Sequence, residues 1–145
     1  MNVRASLLFC VGALLAAPAA TAAADYVVIV NPKSAVEKLT RDEVINIFMG
    51  RNRKLPSGLN ALPVDLAVPM LAKDQFYASL VGKSAQEVNS YWARLMFTGQ
   101  ASPPRQAESE EEVLEIVASL RGGIGYIDRK KLNKQVKVVF EFVPL

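Results

Sequence analysis

The amino-acid sequence predicts an α/β domain of three layers, with helices on both faces of a mostly parallel or mixed sheet. Short apolar runs such as "YVVIV" at residues 26–30 have the β-branched composition of buried strands. Longer segments between them carry apolar residues at helical spacing. Three of these segments begin with Ser or Thr followed three residues later by Glu, which is the spacing of a capping box. Alternation of strands with helices is typical of this architecture.

The first strand and the first helix lie between residues 26 and 50. The strand ends at Asn31-Pro32, because proline has no amide proton to give to a sheet. Thr40 and Glu43 form the first capping pair. Gly50 is placed to end the helix, since glycine readily takes the left-handed conformation of a C-terminal cap. The apolar face of this helix consists of Val44, Ile47 and Phe48.

The middle of the chain predicts a strand and two helices. A loop over residues 51–60 leads to "ALPVDLAVP" at residues 61–69, a strand bracketed by prolines. One helix runs roughly from Asp74 to Val81, and the next begins after Ser84, which has capping-box spacing to Glu87. Residues 98–107 then predict a loop. We expect the aromatic side chains of both helices to pack in the core; they are Phe76, Tyr77, Tyr91, Trp92 and Phe97.

The last part of the chain predicts one helix and two strands. Ser109 and Glu112 are the third capping pair, and apolar residues recur behind them at i, i+3, i+4 and i+7. "IGYI" at residues 124–127 predicts a short buried strand. "VKVVFEF" at residues 136–142 predicts a final strand, whose one face carries Val136, Val138, Phe140 and Phe142.

The glycine cluster in "RGGIGYID", residues 121–128, is not a phosphate-binding loop. A dinucleotide fingerprint runs strand, glycine loop, helix, whereas here the helix comes first. We expect Gly122 to end the helix in the left-handed conformation, and Gly123 and Gly125 to let the chain turn tightly into the sheet. "GKS" at residues 82–84 is not a P-loop either, because Tyr77 stands where that motif requires glycine. Instead, we expect Gly82 to end one helix and Ser84 to cap the next.

Residues 1–24 have the features of a secretory signal peptide. Arg4 precedes an apolar run over residues 5–15, and the following small residues end in Ala22-x-Ala24, a site for signal peptidase that makes Asp25 the new N-terminus. The apolar run is shorter than the ~20 residues of a membrane-spanning helix, and no later segment approaches that length. We therefore expect an exported protein with a signal peptide at 1–24, a single domain at 25–145 and no membrane span after cleavage.

Composition argues against catalysis, metal binding and nucleic-acid binding. The chain has no His, and its one Cys, Cys10, lies within the signal. The commonest catalytic bases, nucleophiles and zinc ligands are therefore missing. Removal of Arg4 with the signal lowers the net charge from +3 to +2, too little to indicate nucleic acid as a partner. We expect a protein that is not an enzyme and has no cofactor and no metal site.

Three stretches of the sequence resemble small substrate-binding proteins of phosphate transporters from Gram-negative bacteria. They are "IFMGR" at residues 47–51, "YWARLMFTG" at 91–99 and "GGIGYI" at 122–127. These relatives are periplasmic-binding-protein-like domains of the type II class. The resemblance implies a periplasmic α/β domain equivalent to one lobe of such a protein, with phosphate or another small oxyanion as the ligand and an ABC permease as a partner.

The residues at the ligand site implied by this resemblance differ from those of the relatives. The relatives carry a Ser-Gly-Thr type turn after the strand that corresponds to residues 61–69. This chain has Met70, Leu71 and Ala72 there, which offer no hydroxyl, so the backbone amides and Lys73 are the donors that we expect. Arg51, in a basic loop, is a further candidate, either as the rim of an anion site or as part of a solvated turn.

Two functions remain open from the sequence. One is an exported solute-binding-like domain related to phosphate transport. The other is a periplasmic interaction module that binds an envelope protein and has lost its ligand. The missing hydroxyl turn favours the interaction module, whereas the basic loops favour anion binding.

We predict that the exported protein begins at Asp25, because Ala22 and Ala24 supply the small residues that signal peptidase recognises. The intact mass of protein recovered after export should equal that of residues 25–145. A mass that includes the leader, or a diacylglycerol attached to Cys10, would contradict the prediction.

Overall fold

The computed structural model describes residues 25–142; the signal-peptide prediction for residues 1–24 lies outside them. No helix in this range is long and apolar enough to cross a bilayer. Short 3-10 turns occur at Pro32–Ser34 and Arg129–Lys131. The strands and α-helices of the described range are, in chain order, β1 (Tyr26–Val30), α1 (Arg41–Phe48), β2 (Leu62–Leu66), α2 (Leu71–Val81), α3 (Ala85–Phe97), β3 (Arg105–Ala107), α4 (Glu110–Ser119), β4 (Gly123–Asp128) and β5 (Lys137–Glu141).

The five strands form one mixed sheet in the order β3-β2-β4-β1-β5. β2 is parallel to its neighbours β3 and β4, whereas β1 is antiparallel to β4 and β5. The chain goes from β2 outward to β3 through α2 and α3, and then back across β2 to β4 through α4. Because parallel crossovers are right-handed, two connections in opposite directions place their helices on opposite faces. The predicted α/β class with a mixed sheet is confirmed.

Side chains of β4 alternate between the two helical layers. The Tyr126 ring stacks on Phe76 of α2 with the ring centroids 3.7 Å apart, and it also contacts Phe48 of α1. Gly125, the preceding residue, faces α4, where an added Cβ would lie 2.6 Å from Cγ1 of Val113. β1, between β4 and β5, is buried along its whole length, as its continuous β-branched composition predicts.

The helix ends follow local sequence signals. The first two predicted capping boxes are complete. In the third, Ser109 Oγ accepts the Glu112 amide at 3.1 Å, but the Glu112 carboxylate accepts the Glu108 amide at 2.7 Å, so only half of the box forms. Gly50 and Gly82 take positive φ values of 72° and 67° at the ends of α1 and α2, as expected of C-terminal caps.

Three sequence predictions are wrong in detail. α2 begins at Leu71 and not near Asp74, because the residue that caps it, Met70, makes no side-chain hydrogen bond and leaves no capping pattern to read. β3 lies in the predicted loop, since its pairing comes from the outer edge of β2. Phe97 is 93% exposed. It follows the buried Trp92 by five residues, which places it about 140° around the helix axis from that core position.

The last strand does not alternate as predicted. Val28 pairs with Phe140 and Ile29 with Val138, so the register shifts between these two pairs. The intervening Val139 is buried in place of Val138. A bulge of this kind puts an extra residue in one strand, which interrupts the period of two on which the prediction rests.

Gly122 is required by close packing and not by its backbone angle. Its φ lies outside the left-handed region, and α4 ends at Leu120 in an extended conformation. A Cβ at Gly122 would overlap the carbonyl oxygen of Asn60. The Leu62 amide donates to the Gly122 carbonyl at 2.9 Å, so the two segments cannot separate without losing this bond. The predicted order of helix, glycines and strand is confirmed, whereas the predicted left-handed cap is wrong.

We predict that Gly122→Ala lowers the free energy of unfolding by more than ~1 kcal/mol, because the added methyl group meets rigid backbone. Gly58→Ala is the control, since a Cβ at Gly58 meets nothing within 4 Å and only the positive φ opposes it. Denaturant midpoints measured on both variants check the prediction. A midpoint of Gly122→Ala equal to that of the unmodified protein would show that the contact with Asn60 yields at no cost.

Candidate ligand-binding site

The parallel strands β2, β3 and β4 end at the same edge of the sheet, here called the carboxyl edge. In open α/β sheets, ligands bind beyond this edge, beside the two adjacent strands where the strand order reverses and the connecting helices change from one face of the sheet to the other. In this chain that point lies between β2 and β4. The N-termini of α2 and α4 lie at the carboxyl edge, because α2 follows β2 and α4 follows β3.

A buried carboxylate at the end of β2 accepts three hydrogen bonds and forms one ion pair. Asp65 is 2% exposed. Its Oδ1 accepts the Tyr126 hydroxyl at 2.6 Å and the Leu66 amide at 2.8 Å. Its Oδ2 accepts the Tyr77 hydroxyl at 2.8 Å and lies 3.3 Å from Nζ of Lys73. One side chain therefore joins β2, β4 and α2.

Lys73, the side-chain donor predicted for an anion, points into this cluster. It is 1% exposed, and its Nζ also donates to Asn89 Oδ1 of α3 at 3.1 Å. A cavity of about 160 Å³ adjoins the pair, and Trp92 lines it as well. Breaking a buried ion pair by removing one partner costs about 3–5 kcal/mol. The position of Lys73 is thus explained by its contribution to folding.

Burial and the negative charge of Asp65 keep two tyrosines protonated. Burial is the larger cause that raises the pKa of the Tyr77 hydroxyl, and the charge of Asp65 raises it further. The same two causes, in the same order, raise the pKa of Tyr126 far above its usual range. Each hydroxyl can donate to Asp65 only while it carries its proton, so the cluster depends on the neutral form of both residues.

The first turn of α2 brings three of the predicted site residues together at the carboxyl edge. Met70 caps the helix without a side-chain hydrogen bond, Leu71 is 68% exposed and Ala72 is buried. The Lys73 amide already donates to the Met70 carbonyl at 3.1 Å. The amides of Leu71 and Ala72 precede the first helical hydrogen bond, and they are the backbone donors that this turn can offer to a ligand.

The N-terminus of α4 carries negative charge at the same edge. Glu110, Glu111 and Glu112 occupy its first turn. Glu110 accepts the Asp128 amide at 2.6 Å, and Lys131 lies 3.2 Å from Glu110 and 2.8 Å from Glu111. These carboxylates neutralise the positive end of the helix dipole and oppose the approach of another anion. Within residues 25–142, no three His, Cys, Asp or Glu side chains come together as ligands to a metal ion.

Arg51, the fifth predicted site residue, lies elsewhere. It lines a groove of about 460 Å³, here called the basic groove, together with Lys83 and Arg94. Lys83 follows the C-terminus of α2, whereas Met70 to Lys73 form its N-terminus. The 11 residues of this helix span about 16 Å. The structure therefore brings Met70, Leu71, Ala72 and Lys73 together but places Arg51 at the opposite end of α2.

A groove of about 650 Å³ follows the outer edge of β2 and was not predicted from the sequence. β3 pairs only with residues 64–66 and leaves Leu62 and Pro63 uncovered on that side. The lining is mostly apolar, with Arg53 and Arg105 as its cations. Sequence reasoning missed this groove because its shape depends on β3, which the composition of residues 98–107 does not indicate.

Comparison with known proteins identifies the architecture. No family model matches the chain, and no curated protein matches it. Several solved structures are similar to it, and three of them follow. One is an ABC-type phosphate transport receptor from Vibrio cholerae, with a TM-score of 0.64 and 16% identity. Another is a proposed substrate-binding protein of a phosphate ABC transporter from Clostridium perfringens, with bound phosphate, at 0.64 and 18%. The third is a candidate phosphate-binding protein from Planctomyces limnophilus, at 0.55 and 16%.

The similarity is to part of each neighbour. It covers 80% of this chain and 45% of the Vibrio protein, 81% and 45% for the Clostridium protein, and 81% and 42% for the Planctomyces protein. The chain thus spans less than half the length of these neighbours. At these identities the match shows the fold. The predicted resemblance to substrate-binding proteins of phosphate transporters is confirmed at that level, as a match to a part comparable with one lobe.

We predict that Tyr77 and Tyr126 ionise only when the protein unfolds. A pKa raised in the folded state means that these hydroxyls contribute their full stability below about pH 10, and that this contribution falls as the pH rises further. Tyr126→Phe should be less stable at neutral pH, and its free energy of unfolding should fall less steeply above about pH 10. Phenolate absorbance and unfolding, followed together during alkaline titration, test this. Ionisation of all four tyrosines in the folded protein would contradict it.

Proposed function

We propose that the chain is an exported, non-catalytic binding domain related to the substrate-binding proteins of phosphate transporters, and that its carboxyl edge binds phosphate weakly. The observation that carries the proposal is that Lys73 is buried in an ion pair. The cation that α2 brings to this edge is buried against Asp65 at 3.3 Å. An anion that recruited Lys73 would have to break this pair.

The number of donors sets the expected affinity. A buried oxyanion is stabilised by several charge-assisted hydrogen bonds, each worth ~1.5–3 kcal/mol. The carboxyl edge offers the amides of Leu71 and Ala72 and the positive end of α2, an exposed helix terminus worth ~0.3–1 kcal/mol. The glutamates in the first turn of α4 act in the opposite direction. The balance of these contributions supports weak binding, which becomes weaker still when salt screens the charges.

The wider assignment rests on the fold neighbours and on composition. The three similar structures are a transport receptor and two proteins described as binding proteins, which supports a binding role and an ABC permease as a partner. The absence of His from the sequence and the position of its one Cys within the predicted signal support a non-catalytic role. The leader-like residues 1–24 support a periplasmic location.

A second candidate function is an interaction module that binds an envelope protein in place of a solute. It is favoured by apolar side chains that face solvent: Leu71 at the carboxyl edge is 68% exposed, and Leu62 in the groove beside β2 is 45% exposed. The groove beside β2 is lined mostly by apolar side chains, and apolar surface of this kind is characteristic of sites where another protein binds.

Titration of the protein with inorganic phosphate, followed by amide NMR signals, separates the two functions. We predict that the signals of residues 70–73 move with a dissociation constant no tighter than the high-micromolar range, because two amides and one helix terminus are the available donors. The shift should weaken at physiological ionic strength, since exposed charges are screened beyond about 8 Å there.

The outcomes are distinct. Weak, salt-sensitive shifts at residues 70–73 support the solute-binding-like function. No shift at these residues up to millimolar phosphate supports the interaction module. Sub-micromolar binding that is lost in a folded Lys73→Met variant would contradict the proposal, because Lys73 would then have to leave Asp65 for the ligand.

A further inference from the structure

We infer that the basic groove binds a multivalent oxyanion at a site separate from the carboxyl edge. The site is formed by Arg51, Lys83 and Arg94. This inference does not rest on the proposed function, since no residue of the groove belongs to the first turn of α2 or to the Asp65 cluster. Binding here would occur whether or not the carboxyl edge binds phosphate.

Three separate segments contribute the cations. Arg51 follows the C-terminus of α1, Lys83 lies in the turn between α2 and α3, and Arg94 lies within α3. Gly50, which precedes Arg51, takes a positive φ at the end of α1, and Gly82, which precedes Lys83, does the same at the end of α2. Folding thus brings together charges that are far apart in the sequence, and their placement follows from two helix caps.

The cations of the groove are not neutralised by carboxylates. In the described range, none of the salt bridges includes Arg51, Lys83 or Arg94. The groove contains one carboxylate, that of Glu87, which accepts the Ser84 amide at 2.8 Å as part of the capping box. Three positive charges and one negative charge leave the lining at +2. Like charges held near one another without counter-charges favour an added anion.

Neutral donors reinforce the same preference. Gln86, Ser90 and Arg94 follow one another at intervals of four residues, so they share one face of α3, and all three line the groove. The helix dipoles do not add to this preference, because the positive first turn of α3 is offset by the negative C-terminal ends of α1 and α2, which precede Arg51 and Lys83. The cations therefore carry the inference.

The dimensions and charge indicate the class of ligand. A groove of about 460 Å³ holds an anion larger than one phosphate group. Two arginines favour oxygen atoms in a planar or tetrahedral group, because a guanidinium donates two parallel hydrogen bonds to such a group. A compact anion with several negative charges, such as pyrophosphate, matches this charge and size.

The test is calorimetric titration of the purified protein with pyrophosphate at low and at physiological ionic strength. Arg51→Ala, Lys83→Ala and Arg94→Ala should each weaken binding about two- to five-fold, the effect of one exposed charge pair. Arg121→Ala is the matched control, because Arg121 is an exposed arginine outside the groove and its loss changes the net charge equally. The double variant Arg51→Ala/Arg94→Ala should weaken binding about 4- to 25-fold, since independent contributions add in free energy.

Circular dichroism should show all of these variants to be folded, since the three side chains are exposed. A loss of affinity in Arg121→Ala equal to that in the groove variants would overturn the inference, because net charge alone would then explain binding. No detectable binding to the unmodified protein at low salt would overturn it as well. So would amide shifts confined to residues 70–73, because pyrophosphate would then bind at the carboxyl edge.

A second arm distinguishes two sources of the same chemistry. Vesicles of phosphatidylglycerol present the phosphate group on a surface, whereas pyrophosphate presents it in solution. Binding of pyrophosphate without binding of vesicles assigns the groove to a free oxyanion. Co-sedimentation with vesicles that is lost in the double variant assigns it to a lipid headgroup. Co-sedimentation that the double variant retains places lipid binding outside the groove.

Discussion

The carboxylate of Asp65 is the interaction on which the rest of the structure depends. It lies between the sheet and α2. It accepts hydrogen bonds from β2, β4 and α2 and pairs with Lys73, which in turn donates to Asn89 of α3. A charge buried to this extent is tolerated only when nearly all of its acceptor sites are occupied. The network therefore specifies how α2 sits on the sheet more strictly than apolar packing does, because a small shift would leave a buried charge without a donor.

This requirement constrains what the carboxyl edge can bind. In an open α/β sheet, the residues that close the core and the residues that meet a ligand lie within one helical turn of each other. Here Lys73 belongs to the first group, and the neighbouring Leu71 is exposed without a polar group on its side chain. The fold is that of part of a phosphate-binding protein, but fold and ligand are separable, because the ligand depends on a few side chains at this edge.

The two ends of α2 differ in charge as a result. The N-terminal end lies at the carboxyl edge, where the first turn of α4 places glutamates whose charge is partly offset by Lys131. The C-terminal end, with Lys83, faces Arg51 and Arg94. A chain with a net charge near zero can thus carry two surfaces of opposite character about one helix length apart. Interactions between them and a partner are governed by these local fields, since the Debye length in physiological salt is shorter than the helix.

The sequence by itself determined the features that depend on a few neighbouring residues. β1 could be predicted from its β-branched run, the starts of α1 and α3 from capping boxes, and the ends of α1 and α2 from Gly50 and Gly82, because each signal acts within about one helical turn.

The tertiary structure alone decided the features that depend on distant partners. β3 exists because β2 offers an edge, Gly122 is needed because Asn60 lies against it, and Lys73 is buried because Asp65 and Asn89 meet it from other elements. A lysine in the first turn of a helix looks the same in sequence whether it faces solvent or a carboxylate. Its role is set by what the fold places opposite its ammonium group.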